Sequence, residues 1–468
     1  MSTLLSLYHR LPYPLRVAAA SARGYQLRCW RYGPDLEEQV QAALERETWP
    51  EERWRAWQED RLARILRRAA EDVPYYREMW ARRRRAGDRA PVEELANWPL
   101  LTKEALRQNP RAFLAEGADP RRMLEEHTSG SSGKPLTLWT SRETSRAWYA
   151  LFEARVRRWN GVSLKDPWGI FGGQLVAPVG QARPPYWVWN RGLKQLYLSS
   201  YHISPAAVAD YLRALREHGI VYLLGYASSM SSLAGLALEA GLEAAPLKVA
   251  VSNAEPLYES QRQVIERAFS TRAVDTYGMS EQVAAASECE HGRLHLWPEA
   301  GWIEVLADDE DRPALPGEVG RLVCTGLLNA DMPLIRYEVG DRGRLPAGPE
   351  EGVCACGRTL PRIASIEGRL DDVLITPDGR RIGRLDPIFK ADLPIREAQI
   401  IQERVDLVRM LVVPAEGYSP GAGRELEERL RQRVGEGMAI RIEEVESIPR
   451  GANGKFRAVV SRLSQKQV

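Results

Sequence analysis

The chain lacks any apolar run of the roughly 18 residues that a membrane-spanning helix requires. It also lacks a charge excess. Its 65 Lys and Arg stand against 63 Asp and Glu, a formal net charge of +2, whereas a dedicated nucleic-acid binder would be strongly basic. Cysteine is scarce and odd in number, five in 468 residues, which argues against a disulfide scaffold. Internal repeats and low-complexity tracts do not occur. The opening "MSTLLSLYHRLPYPLR" forms no secretory core, because His9, Arg10 and two prolines interrupt it. It is expected to be part of a mature cytoplasmic protein, with a short interfacial helix touching a membrane as the alternative.

What remains is the composition of a soluble globular chain, 44% apolar and 27% charged, too long for one core and expected to form two or three domains. The basic run "ARRRRAGDR" (81–89) reads as a solvated surface loop. Residues 36–70 read as helix, with Trp54, Trp57, Leu62, Ile65 and Leu66 near one face of a 3.6-residue period. From 127 onward the pattern changes. "GIVYLLGYASS" (219–229) and "LKVAVSNAEPL" (247–257) read as buried strands ending in polar loops, with the helix "MSSLAGLALEAGL" between them. Strand, helix, strand with loops at the carboxyl ends is the pattern of an α/β domain, and ligands bind at such loops. "GRLVCTGL" and "MPLIRYEVGD" add strands. After 365, "DDVLITPDG" and "LVRMLVVPA" read as strands, "GRELEERLRQRVGEG" as a helix and "MAIRIEEVESIP" as another strand, which makes a small α+β domain.

The stretch "TSGSSGKP" (128–135) is built like a phosphate loop, but not of the P-loop NTPase kind. The residue five before Gly133 is Thr128, Pro135 occupies the place of the Mg-binding hydroxyl, and a strand pattern follows instead of a helix. A Gly/Ser/Thr loop between two strands still offers backbone N–H groups and hydroxyls to phosphate, with Lys134 adding charge; a plain hairpin turn is the alternative. Five further motifs follow in order: "SNAEPL" (252–257), "DTYGMSE" (275–281), "RYEVGD" (336–341), "GRLDD" (368–372) and "PRGANGKFR" (449–457). Together the six resemble the adenylate-forming superfamily of acyl-CoA synthetases, luciferases and peptide-synthetase adenylation domains. "AAEDVPYYREMW" (69–80), "PLLTKEALR" (99–107) and "SNAEPLYES" are similar to the phenylacetate–CoA ligase family. "RYEVGDRG", "DDVLITPDGRRIGRLDPIFK" and "LYHRLPYPLR" resemble its CapK-like capsule-polysaccharide branch.

The resemblance implies an α/β fold: a large N-terminal adenylate-forming domain with mixed sheets and helices, and a small mobile α+β C-terminal domain. Residues 1–90 would be the helical part of the large domain, 91–367 its AMP-binding core and 368–468 the small lid. It further implies an enzyme in which a carboxylic acid attacks the α-phosphorus of ATP, giving acyl-AMP and pyrophosphate, before a second nucleophile displaces AMP. That acceptor would be CoA, an amine, a hydroxyl or a carrier-protein thiol. Thr128, Ser129, Gly130, Ser131, Ser132, Gly133 and Lys134 would hold the β- and γ-phosphates, and Glu281 would ligate Mg²⁺. Tyr277 and Gly278 would lie at the adenine, with the Ala254–Glu255–Pro256 backbone along its edge. Asp341 would accept the ribose hydroxyls, assisted by Arg369. Lys455 would neutralise the α-phosphate and the attacking carboxylate, and Asp371 would be the hinge. The acyl pocket would lie between 171–174, 199–204 and 224–229, with Tyr201, His202 and Tyr226 as lining.

Cys289, His295, Cys354 and Cys356 form C-x5-H plus C-x-C, ligand types that suit tetrahedral zinc; unmetallated thiols are the alternative, and His291 could stand in for His295. Cys324, in an apolar strand, is expected to be core. Two other functional readings stand beside the acid ligase: adenylyl transfer to a small-molecule hydroxyl, and a non-catalytic nucleotide-binding scaffold in polysaccharide or secondary-metabolite assembly. Intact Lys455, Glu281 and Asp341 weigh against the scaffold.

Overall fold

A computed structural model describes residues 3–127, 136–178, 180–255, 257, 259–307, 310–348, 354–366, 374–382, 385, 388, 393–414, 417–446, 448 and 459–463. Five helices open the chain: Thr3–Arg10, Tyr13–Arg31, Leu36–Arg46, Glu51–Asp72 and Pro74–Arg85. The single helix expected over 36–70 is two. Pro50 has no N–H and pushes Trp49 out of the helical region, so the chain breaks at "ETWP" and restarts at Glu51. The second of the pair buries Trp54, Leu62, Ile65, Leu66 and Ala69. Among the described residues no helix is long and apolar enough to cross a membrane.

The centre of the large part is a six-stranded sheet. Its order is Trp187–Asn190, Gln195–Ser199, Trp168–Gly172, Tyr222–Gly225, Val249–Ser252, Arg272–Val274. All neighbours are parallel except the antiparallel edge strand Trp187–Asn190. Tyr222–Gly225 and Val249–Ser252 are buried at every position, which is why they read as continuous apolar runs. The helices Ala227–Glu239 and Glu259–Phe269 connect these strands and pack on one another. Gly225 closes its strand at φ 141°, where an added Cβ would lie 2.0 Å from the Phe171 carbonyl oxygen. Only glycine fits at that carboxyl end.

Two antiparallel four-stranded sheets face it. One contains Thr276–Gly278, Ala285–Glu288, Leu294–Leu296 and Arg362–Ile363; the other Gly301–Leu306, Val319–Gly326, Tyr337–Arg344 and Ser365–Ile366. A separate ribbon pairs Leu124–His127 with Thr137–Thr140, His127 opposite Thr137, on either side of segment 128–135. Near the C-terminus, the hairpin Ile395–Arg404/Leu407–Pro414 is flanked by Val459–Ser461 and Ala439–Glu444, both parallel to their neighbours. Helix Pro420–Val434 covers this sheet through Leu426 and Leu430.

One buried ionic network ties distant segments together. Arg155, fully buried, makes two bonds to Glu299, at 2.6 and 2.9 Å, and a third at 3.4 Å to Glu47. Arg46 reaches Glu299 at 2.9 Å, and Arg358 and Trp159 reach Glu47. Burial would raise the Glu299 pKa, but Arg155 and Arg46 outweigh it and hold the carboxyl below its usual value. A depressed carboxylate contributes stability above its unfolded value of 4.5, and that contribution is lost as pH falls through the folded value. Removing one partner strands the other charge in the interior. Arg155→Ala should therefore cost about 3–5 kcal/mol in denaturant unfolding at pH 7, with the deficit shrinking as Glu299 is protonated in acid. A loss below 1 kcal/mol, or one that does not change with pH, would show the network to be incidental.

Candidate active site

A cleft of about 1310 Å³ lies at the carboxyl ends of the parallel strands. Phe171, Gly172 and Gly173 line it from one strand end, Tyr226 from the next, and Asn253, Ala254 and Glu255 from the third. The turn 252–255 is pinned from both sides. Thr276 Oγ1 donates to the Ser252 carbonyl at 2.6 Å, and Ser252 Oγ donates to the Glu255 carbonyl at 3.0 Å. Ala254 is held there at φ 69°, a strained position for a residue with a Cβ, at the place where the backbone was expected to meet a flat ring. Trp148, Phe152, Trp168, Ile170 and Trp297 line an apolar portion.

Two carboxylates enter this cleft on segments of the same form, "YGMSE" (277–281) and "YEVGD" (337–341). Each tyrosine bonds the carboxylate of the other segment. Tyr277 OH donates to Asp341 Oδ2 at 2.9 Å, and Tyr337 OH donates to Glu281 Oε1 at 2.8 Å. The structure thus brings Glu281, Asp341, Tyr277, Gly278, Ala254, Glu255 and Tyr226 to one cavity. The positions 128–134, Pro256, Arg369, Asp371 and Lys455 lie outside the described residues.

Two expected lining residues are not in the cleft wall. After strand Gln195–Ser199 the chain turns away from the cavity. His202 is buried and fully bonded, Nδ1 to Ser199 Oγ at 2.8 Å and Nε2 to the Pro178 carbonyl at 3.1 Å, and it stacks on Tyr186. Tyr201 packs in the core of the C-terminal part and supports the wall from behind, its hydroxyl donating to the Gly173 carbonyl at 2.9 Å. Helix Tyr13–Arg31, of which only "YPLR" falls within a motif, supplies cleft residues Arg23, Leu27, Arg28 and Arg31. Asp275 opens the motif "DTYGMSE" without a role of its own there. It lines the cleft, and burial together with the neighbouring Glu288 carboxylate raises its pKa to about 7. Its polar position in the apolar lead-in to "TYG" was the signal available.

Away from the cleft, Cys289, His295, Cys354 and Cys356 converge, with ligand atoms all within 4.8 Å of one another. Cys289 Sγ lies 3.5 Å from Cys354 Sγ, and Cys356 Sγ lies 3.4 Å from His295 Nε2. His295 turns Nδ1 toward the Leu360 carbonyl, leaving Nε2 directed at the thiols. The histidine brought to the cluster is therefore His295 and not His291. Three thiols and one imidazole on a mostly buried site are a donor set that fits zinc. Cys324 is fully buried, as expected of core.

The fold has counterparts among solved structures. Among solved structures, 2-hydroxyisobutyryl-CoA ligase in complex with 2-HIB-AMP and CoA, in the thioesterification state, matches with a TM-score of 0.56 at 20% identity, covering 89% of this chain and 92% of that one. The same ligase in its postadenylation state with 2-HIB-AMP gives 0.53 at 22% identity, over 90% and 92%. In sequence, residues 374–462 match the family model of the CapK C-terminal domain. Protein CapK of Staphylococcus aureus is 23% identical over 401 residues, covering 83% of this chain and 85% of that protein. The phenylacetate–coenzyme A ligase of Escherichia coli (strain K12) is 29% identical over 332 residues, 68% and 72% of the two chains. The chain is homologous to both.

The raised pKa of Asp275 fixes the sign of one pH effect. An acid whose folded value lies above its unfolded 3.8 favours folding while protonated, so stability should fall as pH rises from about 4 to about 7. Asp275→Asn removes that titration. Its stability relative to the parent should rise by on the order of 1–3 kcal/mol between pH 4.5 and 8, read from urea unfolding across the range. Parallel curves for the two proteins would show that Asp275 titrates normally.

Proposed function

We propose that this chain activates a carboxylic acid as acyl-AMP with release of pyrophosphate and then passes the acyl group to an acceptor, CoA being the simplest. The observation that carries this reading is the pair of carboxylates Glu281 and Asp341, braced in one cleft beside the adenine-edge turn 253–255. A carboxylate bonded by a neutral hydroxyl keeps its negative charge and has capacity for further bonds. Glu281 thus suits a hard cation such as Mg²⁺ on the phosphates, and Asp341 suits the two ribose hydroxyls. Tyr277, bonded to Asp341, couples the ring that packs on the adenine with the ribose acceptor, and Gly278 continues that wall.

The remaining roles rest on the resemblance. Segment 128–134 holds the β- and γ-phosphates and Arg369 assists at the ribose. Lys455 neutralises the α-phosphate and the attacking carboxylate, and the small domain from 368 turns about Asp371 between the two half-reactions. The large domain comprises 1–90 and 91–367. The aromatic portion of the cleft, with Trp148, Phe152, Trp168 and Trp297, favours a flat acid. The four-residue cluster holds a structural zinc ion that closes residues 289–356 into one unit and takes no part in the chemistry.

Exchange of labelled pyrophosphate into ATP should appear only when an acid from a panel of aromatic and aliphatic carboxylates is supplied. Lys455→Ala should lower that exchange by ~10²–10³-fold, the usual loss of one group aimed at developing charge, yet transfer from preformed acyl-AMP should remain near normal. Exchange without any acid would point to adenylyl transfer to a hydroxyl, and nucleotide binding without exchange would leave a scaffold. For the metal, purified protein should contain about one equivalent of zinc, and Cys354→Ser with Cys356→Ser should lose it and lower the melting temperature. Metal-free protein that tolerates the double change would reduce the cluster to thiols.

A further inference from the structure

Helix Tyr13–Arg31 is turned inside out relative to an ordinary surface helix. Its buried residues are Arg16, Ser21 and Gly24, polar or small. It seats on the sheet edge through close backbone contact: a Cβ on Gly192 would lie 2.3 Å from the Tyr25 nitrogen, and one on Gly24 would overlap the Asn190 side chain. Tyr13, Leu27 and Trp30 are partly buried, but one apolar stripe faces outward. Leu15, Ala18, Ala22, Tyr25 and Cys29 recur at intervals of three and four, and all five are exposed, Leu15 at 52% and Tyr25 at 55%. The preceding helix adds Leu7, 60% exposed. Of the five large apolar side chains that stand exposed among the described residues, three therefore fall between positions 7 and 25.

The charge around this face has one sign. Residues 1–34 contain five arginines and no Asp or Glu. Arg10, Arg23 and Arg28 are exposed; Arg23 and Arg28 stand where the helix borders the cleft, and Arg28 Nη1 donates to the Gly192 carbonyl at 3.4 Å. A second copy of the chain meeting this face about a twofold axis would crowd the arginines of both copies at one interface. An anionic surface with an apolar interior beneath it satisfies both features at once, taking the apolar side chains into the acyl boundary and the guanidiniums at the headgroups.

We infer that helices Thr3–Arg10 and Tyr13–Arg31 dock the protein flat on an anionic phospholipid membrane, through Leu7, Leu15 and Tyr25 flanked by Arg10, Arg23 and Arg28. The same helix lines the cleft through Arg23, Leu27, Arg28 and Arg31, so the docked protein holds its cleft beside the bilayer surface. The inference does not depend on which acid the cleft activates.

The test uses the full chain with a polarity-sensitive fluorophore on Cys29, which is exposed, whereas Cys289, Cys324 and Cys354 are buried and Cys356 is partly so; Cys29→Ser serves as the labelling control. With vesicles of equal phosphatidylcholine and phosphatidylglycerol, the emission should shift to the blue and the protein should co-sediment. Phosphatidylcholine alone should bind at least tenfold more weakly, and high salt should release the protein. Arg10→Gln should weaken binding to the anionic vesicles about fivefold, the effect of one guanidinium near such a surface. Leu15→Asp with Tyr25→Asp should weaken it more than tenfold while leaving the circular dichroism and thermal melt unchanged. Absence of vesicle binding, or equal binding by the double variant, overturns the inference. So does a parent dimer in sedimentation that the double variant converts to monomer without any vesicle effect, because a second copy then occupies the face.

Discussion

Two carboxylates that share a cleft repel one another, and the structure holds both there by exchanging tyrosines. Tyr277 precedes Glu281 by four residues yet bonds Asp341; Tyr337 precedes Asp341 by four and bonds Glu281. The strands that carry the tyrosines belong to different antiparallel sheets, so the two bonds also fix one sheet against the other. The choice of donor is consequential. An arginine in either place would hold the carboxylate just as firmly but cancel its charge. A phenol positions it and leaves the charge for a cation or a hydroxyl donor. The rest of the large domain can be understood as delivering segments 277–281 and 337–341 to the ends of the parallel strands.

Elsewhere the fold is held by charge in the interior instead. Glu47, at the end of helix Leu36–Arg46, meets Arg155, Trp159 and Arg358, while Glu299 meets Arg155 and Arg46. Arg358 lies two residues beyond Cys356. The loop that brings Cys354 and Cys356 to His295 therefore also anchors the N-terminal helices.

The strands 222–225, 249–252, 319–326 and 407–414 were legible because strands buried on both faces, or nearly so, write themselves as continuous apolar runs. The Cys/His cluster was legible because few residue types bind metal, although choosing His295 over His291 required the pairing of strand Leu294–Leu296 with Arg362–Ile363. The break at 47–50 was written in "ETWP" and was overridden by the apolar period on either side of it. Tyr201 and His202 were misplaced for a different reason. A loop following a parallel strand was taken to face the ligand, but the bond from Tyr211 OH to the Ser199 carbonyl bends this one toward the core. Tyr337 carried a signal that only a comparison within the chain exposes: a second tyrosine four residues before a carboxylate.

Helix Tyr13–Arg31 was the least legible element, and its contacts explain why. Hydrophobic periodicity finds a helix by the apolar face it buries. Here the buried face is small and polar because the helix lies directly on the backbone of the turn at Gly192, where no large side chain fits. A second face must offer guanidiniums to the cleft. The apolar stripe from Leu15 to Cys29 is left the outer surface, which is where a period-based reading places charge. Three demands on one helix leave a sequence of alanines, arginines and single large apolar residues, and each of them becomes intelligible only when the surface it faces is known.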